Sequence, residues 1–361
     1  MTFIASVGLG IPEHVFSQEK VKQLVQEIFS MNNQIVEKLF PVFDNALVKE
    51  RQFVVDENWF KAKHSFEEKN NLYIKHAKEK SLEAIDHCLI NKDFLHSDIP
   101  YDAIDMVMFV SSTGISTPSL DVHLLNERPF RENIIRMPLW GLGCAGGAMG
   151  LSRSFDWIQS NPEKTALVIC CELCSLTFQK QDDKMGNLVG TALFGDGVAS
   201  VLLIGEKSPY YSNIKNDPAQ IIRTSSFTKK DTISIMGWDI TNEGFEVIFS
   251  KRIPKLVNTL WKEHVRSFFK DEKIDFQDIH TLIAHPGGRK VLENMEKALA
   301  IPNQKLAYSY DILKNHGNMS SATVFYVLYE WLKNTVRHPS LLCSLGPGFS
   351  SELILLDRKE S

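Results

Sequence analysis

Gly143-Cys144-Ala145-Gly146-Gly147-Ala148-Met149-Gly150 is the stretch on which the fold turns, because it has an echo: Gly317-Asn318-Met319-Ser320-Ser321-Ala322-Thr323. Each sets one polar or nucleophilic residue after a glycine, then runs through small side chains into an apolar segment, 151–158 in the first and 324–332 in the second. A helix whose first turns carry little beyond Gly, Ala and Ser lets other backbones come close. Both segments therefore read as buried central helices.

Working outward, two more features pair up in the same order. Residues 104–110 run into Ser111-Ser112-Thr113-Gly114, as 279–284 run into His285-Pro286-Gly287-Gly288. Phe194-Gly195-Asp196-Gly197 leads into 198–204, and Leu345-Gly346-Pro347-Gly348 precedes 353–356. Continuous apolar runs bounded by turn residues mark strands buried on both faces. Three matched features in one order predict a duplicated α/β unit with halves 1–210 and 211–361. The boundary falls in the polar stretch 206–219, which carries Pro209 and Pro218. The region from Glu19 to Asn91 reads as helices, with apolar spacing near 3.6 over 18–29 and 66–89.

Bulk properties narrow the class. The 361 residues are 43% hydrophobic, enough for a sizeable core. A net charge of −4 gives no basic excess of the kind that binds nucleic acid. No basic leader precedes an apolar stretch, and no apolar run approaches the roughly 20 residues needed to span a bilayer. A cytoplasmic protein, not integral to a membrane, is expected. The six cysteines would be reduced there. Cys170 and Cys171 fall in an apolar run and read as core. No His pair stands at zinc spacing, so no metal is expected.

Three residues stand out chemically. Cys144 opens the helix expected to begin at Ala145, where the positive helix end lowers a thiol pKa and favours the thiolate. The bland alternative is a small residue needed for packing. Gly141-x-Gly143-x-x-Gly146 also fits a dinucleotide-binding turn, the signature of an NAD-dependent oxidoreductase, but that reading gives the second half no role. His285 ends a strand, and Pro286 with two glycines turns the chain at once; strand ends of α/β sheets are where sites form. Most of the 11 histidines, such as His14, His76 and His338, read as ordinary. Asn318 holds in the second copy the place of Cys144 in the first, or serves as an N-cap.

Gly-Cys-Ala-Gly-Gly (143–147), Ala-His-Pro-Gly-Gly (284–288), Gly-Asn-Met-Ser-Ser-Ala (317–322) and Gly-Pro-Gly (346–348) together resemble the type III polyketide synthases. That family includes the chalcone and stilbene synthases of plants and the bacterial alkylpyrone synthases. The resemblance runs from about Phe3 to Leu356. It leans to the alkylpyrone branch through Ser111-Ser112-Thr113-Gly114 and Met236-Gly237-Trp238-Asp239. It implies a thiolase-like fold of layered αβαβα architecture, a homodimer, and no cofactor, with acyl-CoA and malonyl-CoA as substrates.

By motif, the resemblance makes Cys144 the acyl carrier and has His285 and Asn318 bind the thioester oxygen. Phe194 matches a gatekeeping phenylalanine between CoA tunnel and cavity, and Lys49 resembles a lysine that meets CoA phosphates. Thr113, Cys174, Thr177, Val247, Leu345 and Gly346 fall at implied cavity positions. Val247 stands for a second family phenylalanine, Thr117 for a plant methionine that reaches into the partner subunit, and Leu345 for the phenylalanine of the plant Gly-Phe-Gly-Pro-Gly. These changes enlarge a cavity and point to aliphatic starters and alkylpyrone products, unless neighbours such as Phe245, Phe249 or Trp238 fill the space. The rival within the superfamily is a ketoacyl-acyl carrier protein synthase III-like enzyme.

Overall fold

The computed structural model describes residues 1–29, 40–180, 182, 184–215, 218–270, 274–334 and 339–358. Thirteen strands are present among them: β1 Thr2–Gly10, β2 His14–Ser17, β3 Glu50–Phe53, β4 Met106–Ser111, β5 Ile135–Trp140, β6 Thr165–Leu173, β7 Asp196–Gly205, β8 Ala219–Thr228, β9 Met236–Thr241, β10 Gly244–Phe249, β11 Thr281–Ala284, β12 Ser340–Gly346 and β13 Ser350–Arg358. Nine form one sheet in the order β11-β12-β13-β8-β1-β7-β6-β4-β5.

That order reads alike from its middle outward. β1 runs antiparallel to β7, β7 antiparallel to β6, and β6 parallel to β4. On the other side β8 runs antiparallel to β13, β13 antiparallel to β12, and β12 parallel to β11. The two sides meet where Thr2, Phe3 and Ile4 pair antiparallel with Ile221, Gln220 and Ala219. An approximate two-fold axis therefore passes between β1 and β8. The helices Gly146–Ser160 and Thr323–Asn334, which follow the two Gly-rich turns, pack on each other and on strands from both sides. They form the layer between the half-sheets, and this is the thiolase-like α/β fold.

Composition explains these positions. Every residue of β4, β6 and β7 is buried, as continuous Val, Ile, Leu and Cys runs require. Cys170, Cys171 and Cys343 are core residues with no solvent contact. The long helix Phe66–Ile90, started by a Ser65/Glu68 capping box, covers β1 and β7. It lies so close that a Cβ on Gly8 would stand 2.2 Å from the carbonyl oxygen of Ala84. Backbone cannot yield cheaply, so Gly8→Ala is expected to destabilise the fold by about 1–3 kcal/mol in urea unfolding. An unchanged midpoint would show that the helix shifts freely.

Two features depart from the sequence reading. The region expected as helices also contains β3, which pairs with β2 in a separate ribbon. A second ribbon, β9 with β10, had no separate signal in the sequence. Part of the first region, residues 30–39, lies outside the described residues, as does His338. Among the described residues, no helix is long and apolar enough to cross a membrane.

Candidate active site

Cys144 occupies a single 3-10 turn, Gly143–Ala145, that precedes the helix Gly146–Ser160; the helix does not start at Ala145 as expected. The turn is clamped from two sides. Gly143, at φ +48°, donates its N–H to Ser112 Oγ at 3.0 Å. A Cβ on Gly143 would lie 2.7 Å from Pro347, and one on Gly346 would lie 2.6 Å from the Ala145 Cβ. The late glycine loop, with buried Leu345 beside it, thus sits directly on the Cys144 turn. Gly146 faces Val110 and Ser321, and Gly147 faces the Ser321 carbonyl. Close protein packing accounts for Gly143 and Gly146 of the dinucleotide-like turn, and a left-handed φ of +85° accounts for Gly141.

Asn318 arrives from the second half. Its N–H donates to Leu193 O at 2.8 Å, and its carbonyl accepts from Gly195 N at 3.0 Å, a parallel bridge to the Phe194 segment. Its side-chain Oδ1 accepts from Ser320 N at 2.8 Å. That bond fixes the amide so that Nδ2 is the outward donor. Nδ2 donates to Gly287 O at a long 3.5 Å.

His285 follows β11 and donates its backbone N–H to Cys343 O at 2.8 Å. Its ring is buried, yet neither ring nitrogen has a hydrogen-bond partner among the described residues. Burial pushes its pKa down to about 3, so the imidazole is neutral. Buried polar atoms without partners call for an explanation, and an absent ligand is one.

The thiol behaves otherwise than expected. Burial pushes Cys144 up to about 12; polar contacts from the Ser320 and Asn318 side chains pull it down, and Glu172 pushes it further up. The helix-end effect does not outweigh desolvation here. No hydrogen bond joins Cys144 to His285 among the described residues.

Sequence reasoning passed over three buried groups that frame this site. Glu172, near the end of β6, accepts from Ser112 N at 3.0 Å and from Ser321 Oγ at 2.6 Å. Burial raises it to about 7. Asp196 accepts from Ser175 N, Ser175 Oγ and Val54 N, and is likewise raised to about 7 by burial. The third is Ser320, at φ +47°. A charged residue closing an apolar strand was the available signal for Glu172. Cys171-Glu172-Leu173-Cys174 is also a Cys-x-x-Cys spacing that the sequence reading missed. Both thiols are buried, and no group of three His, Cys, Asp or Glu side chains suits a metal among the described residues.

Phe194, Cys174, Thr177 and Val247 line one cavity of about 50 Å³, together with Val21, Leu24, Phe53, Phe60 and Trp238. Cys174 lies close enough to Cys144 for the two to couple electrostatically. A second cavity, of about 330 Å³, shares Ile28, Phe60 and Phe178 with the first and opens among Lys63, His64, Lys69 and Lys180. The space expected beside Val247 is partly taken: the Trp238 ring stands 6.2 Å from Phe194 and 6.2 Å from Phe245. Thr113 is placed elsewhere. Its Oγ1 accepts from Leu173 N, and it lines a small depression with Phe66 and Phe245. Lys49 is exposed beside β3 and lines neither cavity.

Comparison with known proteins agrees with this fold. The profile "Chalcone and stilbene synthases, N-terminal domain" matches residues 1–208, and its C-terminal counterpart matches 224–358. A Bacillus subtilis protein carrying a provisional chalcone synthase name is 44% identical, over 98% of each chain. The 1,3,6,8-tetrahydroxynaphthalene synthase of Streptomyces peucetius is 32% identical, over 98% of this chain and 93% of its own. The crystal structure of the tetrahydroxynaphthalene synthase of Streptomyces coelicolor, a bacterial type III polyketide synthase, superposes with a TM-score of 0.91 over 99% of this chain and all of its own, at 25% identity. A duplicated α/β sheet with Cys144 and Asn318 on the two matched turns, and two family profiles spanning nearly the whole chain, make this protein a member of the chalcone and stilbene synthase family, the type III polyketide synthases, which are acyl-transferring condensing enzymes.

Proposed function

We propose that the enzyme condenses malonyl-CoA onto aliphatic acyl-CoA starters held on Cys144 and closes the products to alkylpyrones. The observation that carries the chemistry is the buried His285 ring with two unpartnered nitrogens, in a site where the Asn318 amide is fixed as a donor. Cys144 is the nucleophile that holds the growing chain as a thioester. His285 and Asn318 donate to the thioester oxygen, where negative charge grows as carbon dioxide leaves. The lost carboxylate supplies the carbanion, so no base and no nicotinamide or other prosthetic group is required. The neutral state of His285 suits a hydrogen-bond donor in this role.

The aliphatic preference is supported by the apolar first cavity and its continuation past Ile28 into the second, whose far wall is polar at Lys63, His64, Lys69 and Lys180. An acyl tail passing Cys174 and Phe194 meets apolar walls at Leu24, Phe53 and Phe60, and beyond Ile28 and Phe178 a larger space. Burial is worth about 0.8 kcal/mol per methylene, so kcat/KM should rise up to about fourfold per carbon until the channel is full. Mass spectrometry of products from malonyl-CoA with a homologous series of acyl-CoAs, beside coumaroyl-CoA and benzoyl-CoA, tests the assignment. Ile28→Trp, which narrows the shared neck, is expected to abolish the gain for long starters and spare short ones. A preference for an aromatic starter would sink the alkylpyrone reading. A naphthalene product from malonyl-CoA alone would favour the second reading, suggested by the name of the Streptomyces peucetius relative.

The two halves, 1–210 and 211–361, each supply part of one site. A homodimer is proposed through the β5 edge. That strand is paired with β4 on one side, and it exposes Ile135 and Trp140, with Ile115 also exposed on the nearby loop that carries Thr117. Sedimentation at micromolar concentration checks it.

A further inference from the structure

Arg51, on β3, is among the largest side chains in the protein with no solvent contact. Its Nη1 donates to Thr191 O at 2.9 Å and to Phe194 O at 3.1 Å, and its Nη2 donates to Ala192 O at 3.0 Å. The first and last of these carbonyl owners close the helix Met185–Leu193, and Phe194 is its C-cap. No carboxylate pairs with Arg51 among the described residues, and its Nε has no partner. Burying a cation without a counter-ion is costly. The negative end of the helix offsets part of that cost. Arg51 lines neither cavity.

The neighbours of Arg51 show what the cation holds. Phe194 sits where its ring reaches the cavity and packs near Trp238, while the backbone on either side of it bonds to Asn318. On the same strand Gln52 bonds to His316 Nδ1 at 2.7 Å and to Asn315 O at 3.3 Å, just before Asn318. A Cβ on Gly195 or Gly317 would press on His316 O or Leu193 O, with the Arg51 stem close to both. β3 thus braces both segments: Arg51 grips the one that carries Phe194 at three carbonyls, Gln18 Nε2 adds a bond to Ala192 O at 3.1 Å, and Asn318 bridges residues 193 and 195.

We propose that Arg51 is a positioning residue for the gate: its guanidinium fixes the carbonyls of residues 191, 192 and 194 and thereby the aperture that Phe194 presents to the starter acyl chain. The inference rests on the reading of Phe194 as the gate. A lysine would keep the charge but not the fork that spans three carbonyls.

The test is a double-mutant cycle on the full-length enzyme with Arg51→Lys, Phe194→Ala and the pair, reading kcat and KM across a homologous series of straight-chain acyl-CoAs. Arg51→Lys is expected to lower kcat/KM for the preferred starter about tenfold, mainly through KM, and to flatten the chain-length profile. In the Phe194→Ala background the same change should alter kcat/KM less than about twofold, because the group it acts through is gone. Thermal unfolding of each variant separates folding from function. If Arg51→Lys does not fold, Arg51→Gln, which retains one donor group, goes through the same cycle. An equal loss in both backgrounds, or none, would overturn the inference while leaving the gate intact. A Phe194→Ala enzyme with the wild-type profile would remove the gate and the inference together.

Discussion

Cys144→Ala enzyme incubated with radiolabelled acyl-CoA is expected to retain no label and to condense nothing, whereas Asn318→Ala enzyme takes up the label and fails to decarboxylate malonyl-CoA. The crossed result follows from where the two residues come from. Cys144 stands on a first-half turn clamped by Ser112 and Pro347; Cys88, Cys170, Cys171 and Cys343 have no solvent contact, and Cys174 lines the cavity but does not stand on that turn. Loss of a nucleophile costs on the order of 10⁴–10⁶ in turnover. Asn318 stands on the matched second-half turn, its amide locked by Ser320 N–H so that Nδ2 donates. Removing one such donor costs about 10²–10³. Condensation falls in both variants, so acylation and decarboxylation must be read separately. An Asn318→Ala enzyme that decarboxylates normally but cannot be acylated would reverse the roles proposed.

Glu172→Gln should change the pH dependence of stability more than any surface substitution. Burial raises the Glu172 carboxyl from 4.5 to about 7 in the fold. The fold therefore favours the protonated form. The stability this gives is fully present below the unfolded value near 4.5 and is lost as pH rises through about 7. Each pH unit between the two values is worth about 1.36 kcal/mol, so the loss amounts to roughly 3 kcal/mol. Glutamine does not titrate. The difference in urea-unfolding free energy, variant minus wild type, should therefore climb by that amount between pH 5 and pH 8. A difference that stays constant would show that the carboxylate is not penalised. The same variant removes a negative charge that raises Cys144, so alkylation of Cys144 by iodoacetamide at fixed pH should become faster.

The fold was legible where side chains repeat a physical demand. Strands buried on both faces need unbroken apolar runs, and β4, β6 and β7 show them. Close-packed central helices need small first turns, and 143–150 and 317–323 supply them. The turn positions of Cys144, His285 and Asn318 could be read from glycine and proline alone. What could not be read depends on contacts between distant segments. β3 is short, polar and edge-like, so its pairing leaves no periodic trace. Which of Phe245, Phe249 and Trp238 fills the space near Val247 was not legible; Trp238 does, because the β9–β10 ribbon pairs it with Val247. The thiol shift was misjudged because a helix end is visible in sequence, while the depth at which it is buried is not. Arg51 carried no signal in the sequence, because the three carbonyls around it come from a distant segment.

The axis between β1 and β8 has a practical consequence for anyone rewriting this enzyme. Two identical halves would carry the same residue on both matched turns, giving two nucleophiles or two amide donors, but never one of each. Because the halves are linked in one chain yet encoded separately, each can drift without copying its error into the other. A mutagenesis library confined to 284–288 and 317–322 therefore varies the proposed donors against a fixed proposed nucleophile, and one confined to 141–147 does the reverse. Crossing winners from the two libraries explores the site as a product of choices that couple where Gly146 and Gly147 meet Ser321, at the start of the central helices.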